Sequence, residues 1–334
     1  MRVILSSVGR RGYLVKYFKQ AVGNKGEVWG VDSNPYVSSF QYCDRVVLLP
    51  RVNDPRYSEK LLTLCRENHI DMVVPLIDPE LEVLAACYEK FSDNGIMTVV
   101  SPYKTIEITL DKYATYLHAK QAGIAVPETV TSIEDALNLI SARKITWPVM
   151  VKPRKGSASA HITRCNSEGE LRMAFLNCPE PMIQQFLPGE EYGYDLFCDR
   201  KFRPISVFCK RKLAMRAGET DKAVSTDDKN LIELGLKIAQ AFKIFGPADA
   251  DVKTGKDGPM LLEINPRFGG GYPCSHLCGA DFPAKLLALC KGQTLEPKIG
   301  GYPGGVYMFK QDEIISPTAD STKAITDLRK EKNP

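Results

Sequence analysis

Leu261-Leu262-Glu263-Ile264-Asn265-Pro266-Arg267-Phe268-Gly269-Gly270-Gly271 is the stretch from which the rest of the chain is read. Leu261, Leu262 and Ile264 are apolar and Pro266 ends the run, so a short strand passing into a loop is predicted. Alternate side chains of a strand share a face, which points Glu263 and Asn265 the same way. Two oxygen-bearing side chains beside an arginine suit a Mg²⁺ ion that holds a polyphosphate, because Mg²⁺ takes oxygen ligands and keeps substrate phosphates in its shell. Three consecutive glycines then allow the backbone to come close to a bound ligand. The plainer reading is a buried strand and a flexible turn.

Just upstream, Ala248-Asp249-Ala250-Asp251-Val252-Lys253 alternates like a strand, and Lys256-Asp257-Gly258-Pro259 reads as a turn. A hairpin of these parts puts Asp249 or Asp251 beside Glu263. Further back, 229–242 carries an amphipathic helical pattern, 211–223 reads as a charged loop, and 192–199 and 202–210 read as two antiparallel strands. Met182-Ile183-Gln184-Gln185-Phe186-Leu187-Pro188-Gly189-Glu190-Glu191 is a strand and a turn, an extended segment able to read an adenine edge with an acid nearby for ribose hydroxyls. Trp147-Pro148-Val149-Met150-Val151-Lys152-Pro153 is a strand with a lysine near its end. The loop that follows, Arg154-Lys155-Gly156-Ser157-Ala158-Ser159-Ala160-His161, has the small residues that let backbone N–H groups close over phosphates, although it is not a P-loop. Lys112 lies in a helical stretch, 104–122, where a lone lysine is ordinarily solvated. Cys274, His276 and Cys278 lack a usual zinc spacing and read as packing residues.

At the start of the chain, Val3-Ile4-Leu5, Val28-Trp29-Gly30-Val31-Asp32, Val46-Val47-Leu48-Leu49-Pro50, Met72-Val73-Val74-Pro75-Leu76 and Met97-Thr98-Val99-Val100 read as strands alternating with helices, which argues for a parallel doubly wound sheet. Gly9, Gly12 and Asp32 resemble a dinucleotide fingerprint only in part, since G-x-x-G stands where G-x-G-x-x-G is needed. Arg10 and Arg11 could instead meet an acidic substrate at the carboxyl edge of that sheet. Asp78-Pro79 reads as an N-cap followed by a proline at the first helical position.

With 334 residues, 44% hydrophobic and 25% charged, the chain is long enough for two or three soluble domains. A net charge of +4 implies no general affinity for nucleic acid or for a membrane surface. No apolar run reaches the ~20 residues that span a bilayer, and no secretory signal opens the sequence. The ten scattered cysteines are expected to be reduced, in the cytoplasm.

Taken in order, Asp111-Lys112, Val151-Lys152-Pro153, the small-residue loop, Gln184-Gln185-Phe186-Leu187 with Gly189-Glu190-Glu191, Arg216-Ala217-Gly218-Glu219, Gly246-Pro247 and Glu263-Ile264-Asn265-Pro266-Arg267 form a specific set. It resembles the ATP-grasp superfamily, and within it a single module of the carbamoyl-phosphate synthase large subunit. The resemblance implies an α/β and α+β fold: a Rossmann-like parallel-sheet domain at 1–103, an ATP-grasp fold of two subdomains at 104–182 and 183–320, and a polar tail at 321–334. It implies ATP and Mg²⁺ as cofactors, with Mn²⁺ as an alternative ion. Lys112 and Lys152 would contact phosphates. Gly156, Ser157, Ala158 and Ser159 would belong to a lid over them. Gln184, Gln185, Phe186 and Leu187 would line the adenine, and Glu190 or Glu191 would hold the ribose. Asp251, Glu263 and Asn265 would bind the metal, with Asp251 standing where the synthase has glutamine. Arg267 and Arg216 would act on the transferring phosphoryl group and the substrate carboxylate. The implied activity is a ligase joining a small carboxylate to an amine through an acyl phosphate. A non-catalytic ATP-binding partner is the alternative, and a homodimer is the assembly the resemblance suggests.

Overall fold

In the computed structural model, which describes residues 1–156, 161–316 and 325–329, the leading apolar runs form the strands of one parallel sheet. They are β1 (Arg2–Ser6), β2 (Glu27–Asp32), β3 (Arg45–Leu48), β4 (Met72–Pro75) and β5 (Met97–Thr98). Both faces are covered, by α1 (Gly12–Val22), α2 (Tyr57–Glu67), α3 (Asp78–Ala86) and α4 (Tyr88–Ser92), which is why these strands read as continuous hydrophobic runs. The glycine turn after β1 is structural. Gly9 N–H donates to Asp32 at 3.1 Å, and a Cβ at Gly12 would lie 2.6 Å from the Tyr42 ring.

The stretch expected as one helix is two, α5 (Tyr103–Leu110) and α6 (Lys112–Gln121). Asp111 interrupts them and caps the second, accepting from the N–H groups of Tyr113 at 2.9 Å and Ala114 at 3.2 Å. The pair packs mainly on the large sheet, where Ala119 and Ile124 are buried with Tyr194, Leu196 and Ile264. The small sheet has the order β6-β9-β7-β8, from β6 (Thr129–Val130), β7 (Val149–Pro153), β8 (Thr163–Cys165) and β9 (Pro181–Gln185), backed by α7 (Ile133–Ser141) and α8 (Glu168–Asn177). Because β9 pairs with both β6 and β7, this unit extends through Gln185 rather than stopping at 182.

The large sheet is antiparallel: β10 (Glu191–Cys198), β11 (Pro204–Arg216), β12 (Glu219–Thr226), β13 (Gly246–Gly255), β14 (Gly258–Asn265) and β16 (Tyr307–Phe309), with the short β15 (Lys298–Ile299) parallel to β11. Its order is β14-β13-β10-β11-β12-β16. The charged stretch at 211–223, expected as a loop, is the β11–β12 hairpin. Its polarity marks exposed edges and a cleft, not an absence of strand. Helices α9 (Lys229–Ala241), α10 (Tyr272–Leu277) and α11 (Phe282–Cys290) complete the unit. In the expected polar tail, Ile325–Asp327 forms β17, parallel to β3. Backbone pairing with an open sheet edge requires no apolar sequence, and Leu328 adds a contact to the core. The rest of that tail lies outside the described residues.

The first domain and the large sheet share one apolar core. Leu14, Val15 and Phe18 of α1 are buried with Phe268, Tyr272 and Phe282. Phe268, which follows Arg267 in the chain, meets Phe18 edge-on at 5.9 Å and Tyr272 at 4.8 Å between ring centroids. This ring fixes the loop after β14 against the first domain. Truncating a buried phenylalanine costs about 3–5 kcal/mol from lost transfer energy and the cavity left behind. Phe268→Ala should therefore lower stability by about that much in urea unfolding. A loss below about 1 kcal/mol would contradict this anchoring role.

Candidate active site

Strands β13 and β14 set Asp251 opposite Glu263 and Asp249 opposite Asn265. Of the two candidate partners for Glu263, the register selects Asp251. The pairing then skips a residue, since Val252 faces Leu261, so Leu262 forms a bulge beside the acids. Bulges re-aim side chains at sites of this kind.

Three lysines converge on these acids from three directions. Lys212 of β11 lies 2.6 Å from Asp251 and 3.0 Å from Glu191. Lys112, in the first turn of α6, lies 3.7 Å from Glu263 and donates to the Gly156 carbonyl. The Asp111 cap and the bond from Lys112 N–H to the Arg154 carbonyl at 2.9 Å hold that turn in place. Lys152 of β7 is buried, and its pKa falls to about 8. Burial is the main cause and Lys112 adds to it, while Glu263, Asp251 and Glu191 oppose it. Lys212 shifts the other way: burial works against its charge, but Asp251, Asp249 and Glu191 outweigh burial and raise it. Asp249 is pushed up to about 7, by burial first and then by Asp251.

Arg267 turns back from the end of β14 onto the first domain. Its guanidinium meets both carboxylate oxygens of Asp78, at 2.8 and 3.1 Å, and donates to the Phe268 carbonyl at 3.1 Å. Asp78 is therefore not the N-cap expected of it. The cap position is Ile77, with no side-chain bond, and the Asp78 carboxylate holds Arg267. In the same first turn, the buried Glu80 accepts from Ser6, Ser7 and Tyr57, tying α3 to the end of β1. The three glycines serve close approach. A Cβ at Gly269 would lie 2.4 Å from Asp249, at Gly270 2.8 Å from Glu219, and at Gly271 2.5 Å from Lys210.

On the side expected to take adenine, the Gln184 amide donates to Thr129 at 2.9 Å and the Gln185 carbonyl oxygen accepts from Glu128 N–H at 3.3 Å. Both side chains are spent on holding β6. Phe186 lies between the Arg164 and Lys253 cations, Leu187 is buried, and Gly189 N–H donates to the Thr254 carbonyl at 3.0 Å. Strand alternation separates the two glutamates. Glu191 faces the cleft and Lys212, whereas Glu190 faces outward to Arg211 and Tyr192.

Arg216 is not brought into the cleft. It pairs with Asp221 at 2.9 Å and Asp312 at 2.8 Å on the surface, because it lies at the tip of the hairpin. Arg11 lines the cleft in its place, together with Glu219, Asp249 and Lys212. Sequence reading missed Lys212 as a site residue because it assigned 211–223 to a loop. The period-two spacing of Lys210 and Lys212, continuing strand 202–210, was the available signal. Of the expected lid, Gly156 is described, whereas Ser157, Ala158 and Ser159 lie outside the described residues. Cys274 and Cys278 are buried, and His276 stacks on Tyr17 at 3.6 Å, as packing residues do.

Asp251, Glu263 and Asn265 present oxygen alone, the donor class Mg²⁺ takes. Among the described residues no cluster of three or more His, Cys, Asp or Glu could hold a metal. An ion here needs the Asn265 amide and the phosphate oxygens of a nucleotide to complete its shell, and the residues fit such an ion.

Known proteins resemble this chain in sequence and in fold. Residues 3–100 match the family model described as PylC-like, N-terminal domain, and residues 177–302 match that described as ATP-grasp in the biosynthetic pathway with Ter operon. A carbamoyl-phosphate synthase of Methanobrevibacter smithii is 23% identical over 277 residues, covering 78% of this chain and 74% of that protein. The vancomycin B-type resistance protein VanB of Enterococcus faecalis is 30% identical over 154 residues, covering 43% of this chain and 44% of that one. The biotin carboxylase domain of Hydrogenobacter thermophilus 2-oxoglutarate carboxylase, a dimer solved with MgADP, ADP and bicarbonate, superposes with a TM-score of 0.75 at 15% identity, covering 92% of this chain and 73% of that one. N5-carboxyaminoimidazole synthetase from Staphylococcus aureus, solved with ADP, superposes with a TM-score of 0.69 at 16% identity, covering 89% and 78%. By these matches residues 177–302 carry an ATP-grasp domain, the chain as a whole resembles carbamoyl-phosphate synthase, and it is an ATP-dependent ligase.

Proposed function

We propose that this chain uses ATP and Mg²⁺, or Mn²⁺ in its place, to join a carboxylate to an amine through an acyl phosphate. The observation that carries this reading is the convergence of Lys112, Lys152 and Lys212 on Asp251 and Glu263, with Arg267 fixed beside them by Asp78. In the first step a carboxylate oxygen attacks the γ-phosphorus and ADP leaves with the bridging oxygen. In the second, the amine nitrogen attacks the acyl carbon, phosphate leaves, and the amine gives up a proton.

Such transfer is governed by positioning and by neutralising charge. Asp251, Glu263 and Asn265 would hold the ion, which draws charge from the phosphate oxygens when bound. The three lysines supply positive charge along the polyphosphate. Lys152 does so from a buried position, where the interaction is little screened. Arg267 presents a planar fork to the reacting carboxylate and phosphoryl oxygens, and Asp78 keeps that fork from reorienting. Glu191 is the acid placed for the ribose. The reading includes a homodimer, as in the biotin carboxylase neighbour. A cytoplasmic setting accords with ten free cysteines, eight of them buried.

The test is Mg²⁺-dependent ADP release against pooled carboxylates and amines. Pool-dependent release that disappears in Glu263→Ala, and on chelation with EDTA, supports a ligase. Tight MgATP binding without turnover in any pool favours a non-catalytic nucleotide-binding role. Arg267→Lys should lower kcat about 100-fold, the usual cost of losing one preorganised charge donor. ATP affinity should change less than about threefold, as expected for a contact made mainly in the transition state. Equal losses in both would remove Arg267 from the chemical step.

A further inference from the structure

The cleft does not end at the metal acids. At its other end stands Glu219, the first residue of β12, with Arg11 and Gly270 beside it. Three cations from three parts of the chain face this single carboxylate. Lys310, just past β16, lies 3.2 Å away, Arg11 3.6 Å and Arg10 3.7 Å. Arg11 and Lys310 are only 13% and 18% exposed, so water does little to dilute their charge. Burial of two cations beside one acid, with the exposed Arg10 as a third charge, is costly unless something else balances them.

Two further observations point to a site for an anion. The Tyr13 hydroxyl is buried and has no hydrogen-bond partner among the described residues. It lies in the field of Arg11 and Glu219, with the Lys310 ammonium 5.7 Å from the ring centre. In addition, α1 begins beside this cluster, with Arg11 as its N-cap and no side-chain cap, and a helix start favours negative charge. The lowered pKa of Lys310 is consistent with this: burial is the main cause and Arg10 and Arg11 add repulsion, which Glu219 only partly offsets.

We propose that Arg10, Arg11, Lys310 and the Tyr13 hydroxyl receive a second anionic group of the substrate, so that the acid activated at Arg267 is a diacid. The inference rests on the ligase reading and narrows its substrate class. Glu219 holds the three cations in place, and the incoming carboxylate takes the charge it leaves unbalanced. One carboxylate lies toward Arg267 and the metal acids, where it is phosphorylated. The other stays at Arg10, Arg11 and Lys310 and sets orientation.

The experiment compares matched acids and amides on the full-length protein loaded with MgADP: succinate against succinamate, glutarate against glutaramate, and glutamate against glutamine. Affinities are read by calorimetry. The best diacid should bind at least about tenfold more tightly than its monoamide, the discrimination expected when a charge-assisted site is left half satisfied. In Lys310→Met that ratio should fall below about threefold, since one of three charges is gone. Equal binding of acid and amide, binding of neither, or an unchanged ratio in Lys310→Met overturns the proposal and leaves the cluster as a latch between the first domain and β12. ADP release in the same mixtures is scored separately. A preserved preference for diacids without turnover contradicts the ligase reading while leaving this anion site standing.

Discussion

The bidentate pair between Arg267 and Asp78 is the contact on which the site depends. It joins the strand end that carries Glu263 and Asn265 to the first turn of a helix in another domain. Both side chains are largely buried, so losing either partner strands a charge and costs about 3–5 kcal/mol. The helix bearing Asp78 is itself held by Glu80, whose carboxylate gathers Ser6, Ser7 and Tyr57 at the end of the first strand. Phe268 then closes the arrangement from the apolar side. The parallel-sheet domain is therefore part of the cleft's scaffold, and it supplies the Arg10 and Arg11 end of the cleft as well.

Charge organises the cleft in layers. Acids on β13 and β14 face lysines from α6, β7 and β11, and each set partly neutralises the other. Opposite shifts in Lys152 and Lys212 show how much depends on position. Lys152 is buried with another lysine nearby and loses proton affinity, whereas Lys212 sits between acids and gains it. A polyphosphate with its divalent ion fits this pattern because it brings both signs at once: phosphates for the lysines and a cation for the acids. A ligand of one sign would satisfy only half of the groups.

The hairpin, the parallel sheet and the strand carrying Lys152 were legible because each rests on a local pattern: alternation, continuous apolar runs, or a turn with glycine and proline. Glu263, Asn265 and Asp251 followed from that alternation, and their register became definite only through pairing. Lys212 was hidden by a strand polar enough to look like a loop. Asp78 looked like a helix cap because local sequence cannot reveal an arginine 189 residues away that competes for its carboxylate. Arg216 belonged to the right hairpin but lay at its tip, where Asp221 and Asp312 hold it. The charge cluster of Arg10, Arg11, Lys310 and Glu219 was only half visible, since its members come from three distant segments.

The central claim is that a substrate carboxylate, not water, attacks ATP in this cleft. Isotope transfer tests it most directly. A carboxylate substrate labelled with oxygen-18 in both oxygens is turned over with MgATP and the amine, and the released phosphate is analysed by mass spectrometry. The account predicts one labelled oxygen in each phosphate released, carried over when the acyl phosphate is broken by the amine. Phosphate that carries no label, with product still formed, would contradict it.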